Sequence, residues 1–235
     1  MRNCVFAFKE FSVKQEKCSM KLGTDSVLLG VWAQKEKAKK ILDIGTGTGI
    51  IALMLAQRTK AEIDAIDIEY SAHVQAKENF SDSKWNKRLN SHHCSLQEFS
   101  PNKKYDLIVS NPPYFPLPKS HTEKEGAQAR FTHLLSFSDL AAHVVRLLSS
   151  RGSFCVIFPV HEGAMFTNEA EKKNLFLTNY VWVKTTNRKK FPKRILMEFE
   201  FEQKDISDDS MLVIQSENKF TEEYKNLTRD YFLQF

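Results

Sequence analysis

Two short stretches of this 235-residue chain hold residue types whose spacing suits chemistry on a bound ligand. The first is Asp43-Ile44-Gly45-Thr46-Gly47-Thr48-Gly49. An apolar run, Ile41 to Ile44, leads in, and a helical pattern, Ile50 to Arg58, leads out. Glycines between a buried strand and a helix let the backbone turn tightly and approach a ligand closely. An acid about 20 residues on, closing the next strand, would take ribose hydroxyls. Asp67, at the end of Glu62-Ile63-Asp64-Ala65-Ile66-Asp67, stands there. The second stretch is Asn111-Pro112-Pro113-Tyr114, directly after the strand pattern Tyr105–Ser110. Its prolines restrict the backbone and remove two N–H donors, which holds the Asn111 carboxamide and the Pro112 carbonyl at one point. Those two oxygens can accept both hydrogens of an aromatic amine, whose lone pair is otherwise delocalised into its ring, and so free that lone pair to attack. Tyr114 offers a face for the ring, worth about 1–3 kcal/mol per base. Orientation and aimed acceptors would then supply the rate, and a base would have to leave its stack to enter. Taken alone, each stretch is also an ordinary rigid turn; strand, turn, helix and downstream acid together favour a ligand site.

The elements that must position these residues alternate in type. Residues 5–15 predict one or two short strands or an extended arm, and Thr24 is the expected N-cap of a helix with Val27, Leu28, Val31 and Trp32 on one face. Strands follow at Lys40–Ile44, Glu62–Ile68, His92–Cys94, Tyr105–Ser110 and Ser153–Phe158, with helices at Gly49–Gln57, Ser71–Phe80, Ser138–Ser149 and His161–Lys173. This βαβ alternation predicts an α/β fold with a largely parallel sheet and helices on both faces. Strands Leu175–Lys184 and Arg194–Glu202 have no helix between them and should pair antiparallel. Met211–Ile214 is a short strand candidate, and Phe220, Tyr224, Leu227 and Tyr231 recur at helical spacing. One domain is expected over 1–235: an N-terminal arm and helix (1–35), a core (36–204) and a strand and helix tail (205–235).

Composition excludes several classes. No apolar run in the chain approaches the length of a membrane span, which takes roughly 20 residues. Met1-Arg2-Asn3-Cys4 opens no signal peptide, so a cytoplasmic protein is expected. The four cysteines, Cys4, Cys18, Cys94 and Cys155, lie too far apart for metal knuckles or a disulfide framework. The seven histidines show no ligand pattern either, so no metal is expected, and His92-His93 reads as surface. A net charge of +5 mildly favours a polyanionic partner.

The Asp and the G-x-G-x-G spacing, unlike the G-x-G-x-x-G of dinucleotide sites, resemble the first motif of class I S-adenosylmethionine-dependent methyltransferases. Asn111–Tyr114 is similar to the motif of enzymes that methylate exocyclic amines of adenine, and also of those that methylate glutamine side-chain amides. With Phe6–Phe11, Gln15–Asp25, Leu28–Trp32, Ile63–Asp67 and Tyr224–Phe232, the whole chain resembles bacterial tRNA adenine-N6 methyltransferases, which act on the adenosine just 3′ of the anticodon. That resemblance implies a Rossmann-like fold with a seven-stranded sheet and an antiparallel C-terminal hairpin, S-adenosylmethionine as cofactor, and the anticodon arm of a tRNA as partner of a monomeric enzyme. It implies that Thr24 and Asp25 abut the methionine moiety, that Asp43, Gly45, Gly47 and Gly49 pass under the cofactor, that Asp67 and Ile68 meet its ribose and neighbourhood, and that Asn111 to Tyr114 hold the amine, with Asn111 also beside the cofactor. Ser95 and Leu96 fall where such enzymes contact the cofactor's adenine, but with Ser95 in place of the usual Asp, a contact without charge.

Lys184, Arg188, Lys189, Lys190, Lys193 and Arg194, with Phe191 among them, lie between the last two long strands and are the expected phosphate contacts, which would make affinity salt-dependent. Lys119, His121, Lys124 and Arg130 follow the catalytic motif and are expected to help cover the substrate. A DNA adenine methyltransferase would need a larger recognition region than the hairpin and tail allow, and a glutamine methyltransferase an added N-terminal helical domain. A non-catalytic binding protein leaves Asn111–Tyr114 without a reason, and a nicotinamide dehydrogenase needs the other glycine spacing.

Overall fold

In the computed structural model, which describes residues 5–35, 37–113, 135–206 and 209–234, the first elements are two short strands, β1 (Val5–Ala7) and β2 (Ser12–Lys14), then helix α1 (Thr24–Trp32). The βα core follows as β3 (Lys40–Ile44), α2 (Ile50–Arg58), β4 (Glu62–Asp67), α3 (Tyr70–Ser81), β5 (Leu89–His93) and β6 (Tyr105–Ser110). After residue 134 come α4 (Phe137–Leu147), β7 (Leu148–Pro159), α5 (Val160–Glu171), β8 (Phe176–Thr186) and β9 (Arg194–Glu200). The tail adds β10 (Ser210–Ser216), β11 (Lys219–Phe220) and α6 (Glu222–Thr228).

Among the described residues one large sheet runs in the order β11-β10-β8-β9-β7-β6-β3-β4-β5. Strands β5, β4, β3, β6 and β7 are parallel, and β9 is antiparallel to both β7 and β8. The expected seven-stranded sheet is present as β8 through β5, and the tail lengthens it to nine: β10 joins β8 in parallel and β11 folds back on β10. The central strands are covered on both faces, which is why Ile41–Ile44 and Leu107–Ser110 read as continuous buried runs. One core layer holds α1 and α2 with Leu28, Leu53 and Ile63; the other holds α4 and α5 with Leu140, Val144, Phe158 and Phe166.

Several boundaries differ from the sequence reading. Gly23, not Thr24, caps α1, and no side chain caps it. The strand expected at His92–Cys94 begins at Leu89, because β5 is an edge strand whose polar face hides the alternation. Helix α4 starts one residue early, with Ser136 and Asp139 in a reciprocal capping box, and it stops at Leu147, where the chain enters β7 five residues before the expected start. Among the described residues of the tail only Glu222–Thr228 is helical: Phe220 is in β11, and Tyr231 lies past the end of α6 yet is buried.

The arm and the tail hold each other. The Lys9 N–H donates to the Tyr231 carbonyl at 2.8 Å, and the Phe8 and Phe232 rings stack at 5.8 Å. Tyr231 in turn donates its hydroxyl to the Met54 carbonyl in α2, 3.1 Å away. Strand β2 is pinned to α3 through Asn79: the Lys14 N–H donates to Asn79 Oδ1, and Asn79 Nδ2 donates to both the Lys14 and the Thr48 carbonyls. A buried amide thus ties the arm to the glycine turn.

Candidate active site at the carboxyl ends of the sheet

The chain leaves β3 toward β4 and β5 and returns on the other side as β6, so β3 and β6 flank the point where strand order reverses. In open sheets of this kind ligands bind there, outside the carboxyl ends of the strands. Ile44 of β3 is registered with Ser110 of β6, and the Ser110 hydroxyl donates to the Ile44 carbonyl at 2.9 Å. The residues that follow, Gly45 and Asn111, therefore start from neighbouring strand ends. The two stretches singled out for chemistry converge.

The glycine turn is shaped by positive φ at Gly45 (69°), Gly47 (56°) and Gly49 (82°). That region costs other residues roughly 1–2 kcal/mol. The three glycines serve different ends. A Cβ on Gly45 or Gly47 would meet nothing within 4 Å among the described residues, so toward these their surface is open; a Cβ on Gly49 would lie 2.5 Å from the Phe80 ring. Gly45 and Thr46 donate their N–H groups to the Ile66 carbonyl at 2.9 and 3.1 Å. Asp67 completes the brace: its Oδ2 accepts from the Gly47 N–H at 2.8 Å and its Oδ1 from the Glu69 N–H at 2.9 Å. Each carboxylate oxygen keeps a lone pair for a further donor such as a ribose hydroxyl. Burial raises the Asp67 pKa, and the two amide donors oppose the shift. Beyond it Ile68 and Tyr70 are exposed, with Tyr70 edge-on to His93 at 5.3 Å.

Asp43 is fully buried beneath the turn, where its Oδ2 accepts the Thr46 hydroxyl at 2.6 Å. Loss of water pushes its pKa up to about 7, against the pull of Thr46 and of the Ala52 amide. Despite that amide's favourable field, Oδ1 has no hydrogen-bond partner among the described residues. A buried acceptor left unpaired is costly, and this one is closed off from solvent. The donor set of S-adenosylmethionine, a nucleoside with hydroxyl and ammonium groups, fits the open glycine face and the braced Asp67.

Asn111 is half-buried, and its Nδ2 donates to Ser26 Oγ at 2.8 Å; Pro112 is buried and Pro113 exposed. Tyr114, Lys119, His121, Lys124 and Arg130 lie outside the described residues. The first turn of α1 also carries Asp25, whose Oδ2 accepts from Arg194 Nε at 2.8 Å, while Thr24 is exposed. Ser26 escaped sequence reasoning, because nothing in a helical pattern marks a serine that bonds 85 residues away. Ser95 donates its hydroxyl to Glu98 Oε2 at 2.9 Å, so a carboxylate stands beside the position where the sequence lacks one. The Leu96 side chain is buried in the core, leaving only its backbone for a ligand. His92 is no bare surface residue: its Nε2 lies 3.2 Å from the buried Asp64, which Lys103 and the Tyr105 hydroxyl also contact, at 2.8 and 2.6 Å. Burial alone would raise the Asp64 pKa, but these three partners outweigh it and hold it well below the usual carboxylate range.

The basic segment reaches the same rim. Arg194 at the start of β9 pairs with Pro159 at the end of β7 and with Val183 of β8, so the β8–β9 connection projects beyond the carboxyl ends of the parallel strands. Arg188, Lys189, Lys190 and Lys193 are exposed, Lys184 is half-buried, and Arg194 is held by Asp25. Phe191 is 69% exposed, with Lys190 Nζ 5.3 Å from its ring centre.

The chain is similar to known proteins in sequence and in fold. The methyltransferase small domain family matches residues 18–164. A tRNA1(Val) (adenine(37)-N6)-methyltransferase of Trichodesmium erythraeum (strain IMS101) is 41% identical over 236 residues, covering 98% of each chain. One from Flavobacterium johnsoniae is 42% identical over 234 residues, covering 98% of this chain and all of that one (100%). In fold, the chain is similar to the crystal structure of a predicted O-methyltransferase from Agrobacterium tumefaciens, with a TM-score of 0.69 at 15% identity over 88% of this chain and 96% of that one.

Proposed function

The chain belongs to the methyltransferase small domain family, and from that premise we propose that it methylates the N6 amine of adenine 37 in tRNA1(Val), with S-adenosylmethionine as methyl donor. The observation that carries the reading is the register of Ile44 with Ser110, which brings the open glycine turn and Asn111 to one crevice. Full-length relatives at about 40% identity that bear this name support the choice of substrate.

S-adenosylmethionine supplies a methyl group on a sulfonium sulfur, an electrophile that needs no further activation. The work left to the protein concerns the amine. Asn111 Oδ1 and the Pro112 carbonyl accept its two N–H bonds, draw the nitrogen toward tetrahedral geometry and aim its lone pair across the crevice. Pro112 and Pro113 fix the backbone that holds both acceptors, and Tyr114 stacks on the extruded base. Gly45 and Gly47 form the bed of the donor, Asp43 supports that turn from within through Thr46, and Asp67 takes the donor's ribose. Thr24, Asp25 and Ile68 edge the same pocket, and Glu98 restores beside Ser95 the charge that the serine lacks. Positioning of this kind lowers the barrier by placing reactants that otherwise meet by chance.

The exposed cations Arg188, Lys189, Lys190 and Lys193, with Lys184 behind them, contact the phosphates of the anticodon arm, and Phe191 offers a face to an unpaired base. Arg194 differs from them because its charge is already matched by Asp25. A monomer in the cytoplasm suffices for this reaction. Incubation with methyl-labelled S-adenosylmethionine and unmodified total tRNA, followed by nucleoside analysis, tests the proposal. N6-methyladenosine in one valine isoacceptor is the expected product, lost in Asn111→Ala. Label in a protein glutamine, or full turnover by Asn111→Ala, would overturn it.

A further inference from the structure

We infer that Ser26 is a positioning residue for the transfer step, because it fixes the carboxamide of Asn111; the inference rests on the reading that Asn111 receives the target amine. Ser26 is half-buried in the first turn of α1, and its Oγ accepts from Asn111 Nδ2 at 2.8 Å. A carboxamide has a donor end and an acceptor end, and its terminal torsion is broad and nearly two-fold. The acceptor end is the one an incoming N–H needs. A flipped amide would set N–H against N–H, and a swinging one would meet the amine for only part of the time.

The backbone cannot remove that freedom. Ser110, bonded to Ile44, and the two prolines fix where Asn111 sits, but not the torsion of its terminal group. Ser26 adds a restraint on that group, since its Oγ accepts from Nδ2 and so holds the carboxamide against swinging. The tether is stiff because its base is held on two sides. Next to Ser26, Asp25 is fastened to Arg194 at the start of β9. Directly after it, Val27, Leu28 and Leu29 are buried in the core under the sheet. A group whose support is itself locked holds its geometry best. The same turn of α1 thus fastens the base of the basic hairpin through Asp25 and the catalytic carboxamide through Ser26.

The reaction needs Ser26 only after both substrates are bound, so its loss should appear in kcat and not in KM. One neutral hydrogen bond corresponds to a rate change of roughly three- to tenfold. The experiment is steady-state kinetics with unmodified tRNA and S-adenosylmethionine for wild type, Ser26→Ala, Ser26→Thr, Asn111→Ala and the Ser26→Ala/Asn111→Ala pair, together with urea midpoints. Ser26→Ala should lower kcat three- to tenfold with both KM values unchanged and the midpoint lowered by no more than the loss of one hydrogen bond accounts for. Ser26→Thr, which keeps the hydroxyl, should recover most of the loss, and the double variant should be no worse than Asn111→Ala. Wild-type kcat in Ser26→Ala, or a loss that falls on KM or that threonine does not recover, overturns the inference and leaves the functional reading intact so long as Asn111→Ala is inactive. An active Asn111→Ala overturns both.

Discussion

Gly47 and Gly49 stand two residues apart in one turn, and alanine at each should do damage of a different kind. Gly47 has a φ of 56°. An alanine held in that region is strained by roughly 1–2 kcal/mol. Its methyl meets no atom of the described residues within 4 Å, however. Stability should fall by about the strain and no more. The methyl would instead stand on the open face of the turn, the proposed bed of the cofactor. Overpacking of a fitted contact costs about 1–3 kcal/mol, which is roughly a 5- to 150-fold loss of affinity. Gly49, with a φ of 82°, brings the same backbone strain. There the new methyl would also lie 2.5 Å from Phe80 Cε1 and 3.0 Å from Cζ. Strain and overpacking then add to roughly 2–5 kcal/mol of stability. The assay is a urea titration of each variant together with calorimetric titration of S-adenosylmethionine. Gly47→Ala should keep most of its stability and lose the cofactor, whereas Gly49→Ala should be the less stable protein. Wild-type cofactor affinity in a folded Gly47→Ala would refute the idea that the open glycine face is the bed of the donor.

Other consequences are as direct. Replacing Lys189 and Lys190 together by alanine should lower the slope of log affinity for tRNA against log salt by about 1.4–1.8, from roughly 0.7–0.9 per phosphate contact, with cofactor affinity unchanged; an unaltered slope removes these lysines from the interface. Asp43, ordinarily near 3.8, is raised to about 7 in the fold. Its contribution is therefore fully present below about pH 4 and is lost as pH rises through 7, by at most about 4 kcal/mol at roughly 1.4 kcal/mol per unit. Urea midpoints of the cofactor-free protein across that window should show the fall, and Asp43→Asn should flatten it; parallel curves for the two proteins would contradict the raised pKa. Tyr105→Phe removes a hydroxyl bond to the charged Asp64. That loss should cost about 1.5–3 kcal/mol in a denaturant titration, while kcat stays at the wild-type level because the cluster lies outside the crevice. A variant as stable as wild type would show that Lys103 and His92 suffice for Asp64.

What was legible in the chain was whatever depends on neighbours in sequence. The glycine turn could be read because positive φ needs glycine, and the β3–α2–β4 frame because burial on both faces leaves continuous apolar runs. The β8–β9 pairing followed from the lack of a helix between them. The illegible parts depend on distant partners or weak patterns. Leu89-Asn90-Ser91-His92-His93 is an edge strand with one well-buried residue, so its start was hidden. The parallel union of β10 with β8 has no local signature. Thr24 looked like a cap by residue type, yet the backbone of Gly23 took the position. Ser26 with Asn111, Asp25 with Arg194, and Asn79 with both Lys14 and Thr48 are pairings that only the folded chain creates.

The clasp between Lys9 and the tail joins residues that a ribosome makes far apart in time, since Lys9 Nζ also donates to the Arg229 carbonyl, 220 positions later. While translation is under way, the early strands have no Tyr231 or Phe232 to lean on. Asn79 hands that support on to Thr48, so the floor of the crevice should settle only when synthesis has passed residue 232. Nascent chains halted before that point should be poor at capturing the methyl donor, even though every residue proposed to hold it has already been made.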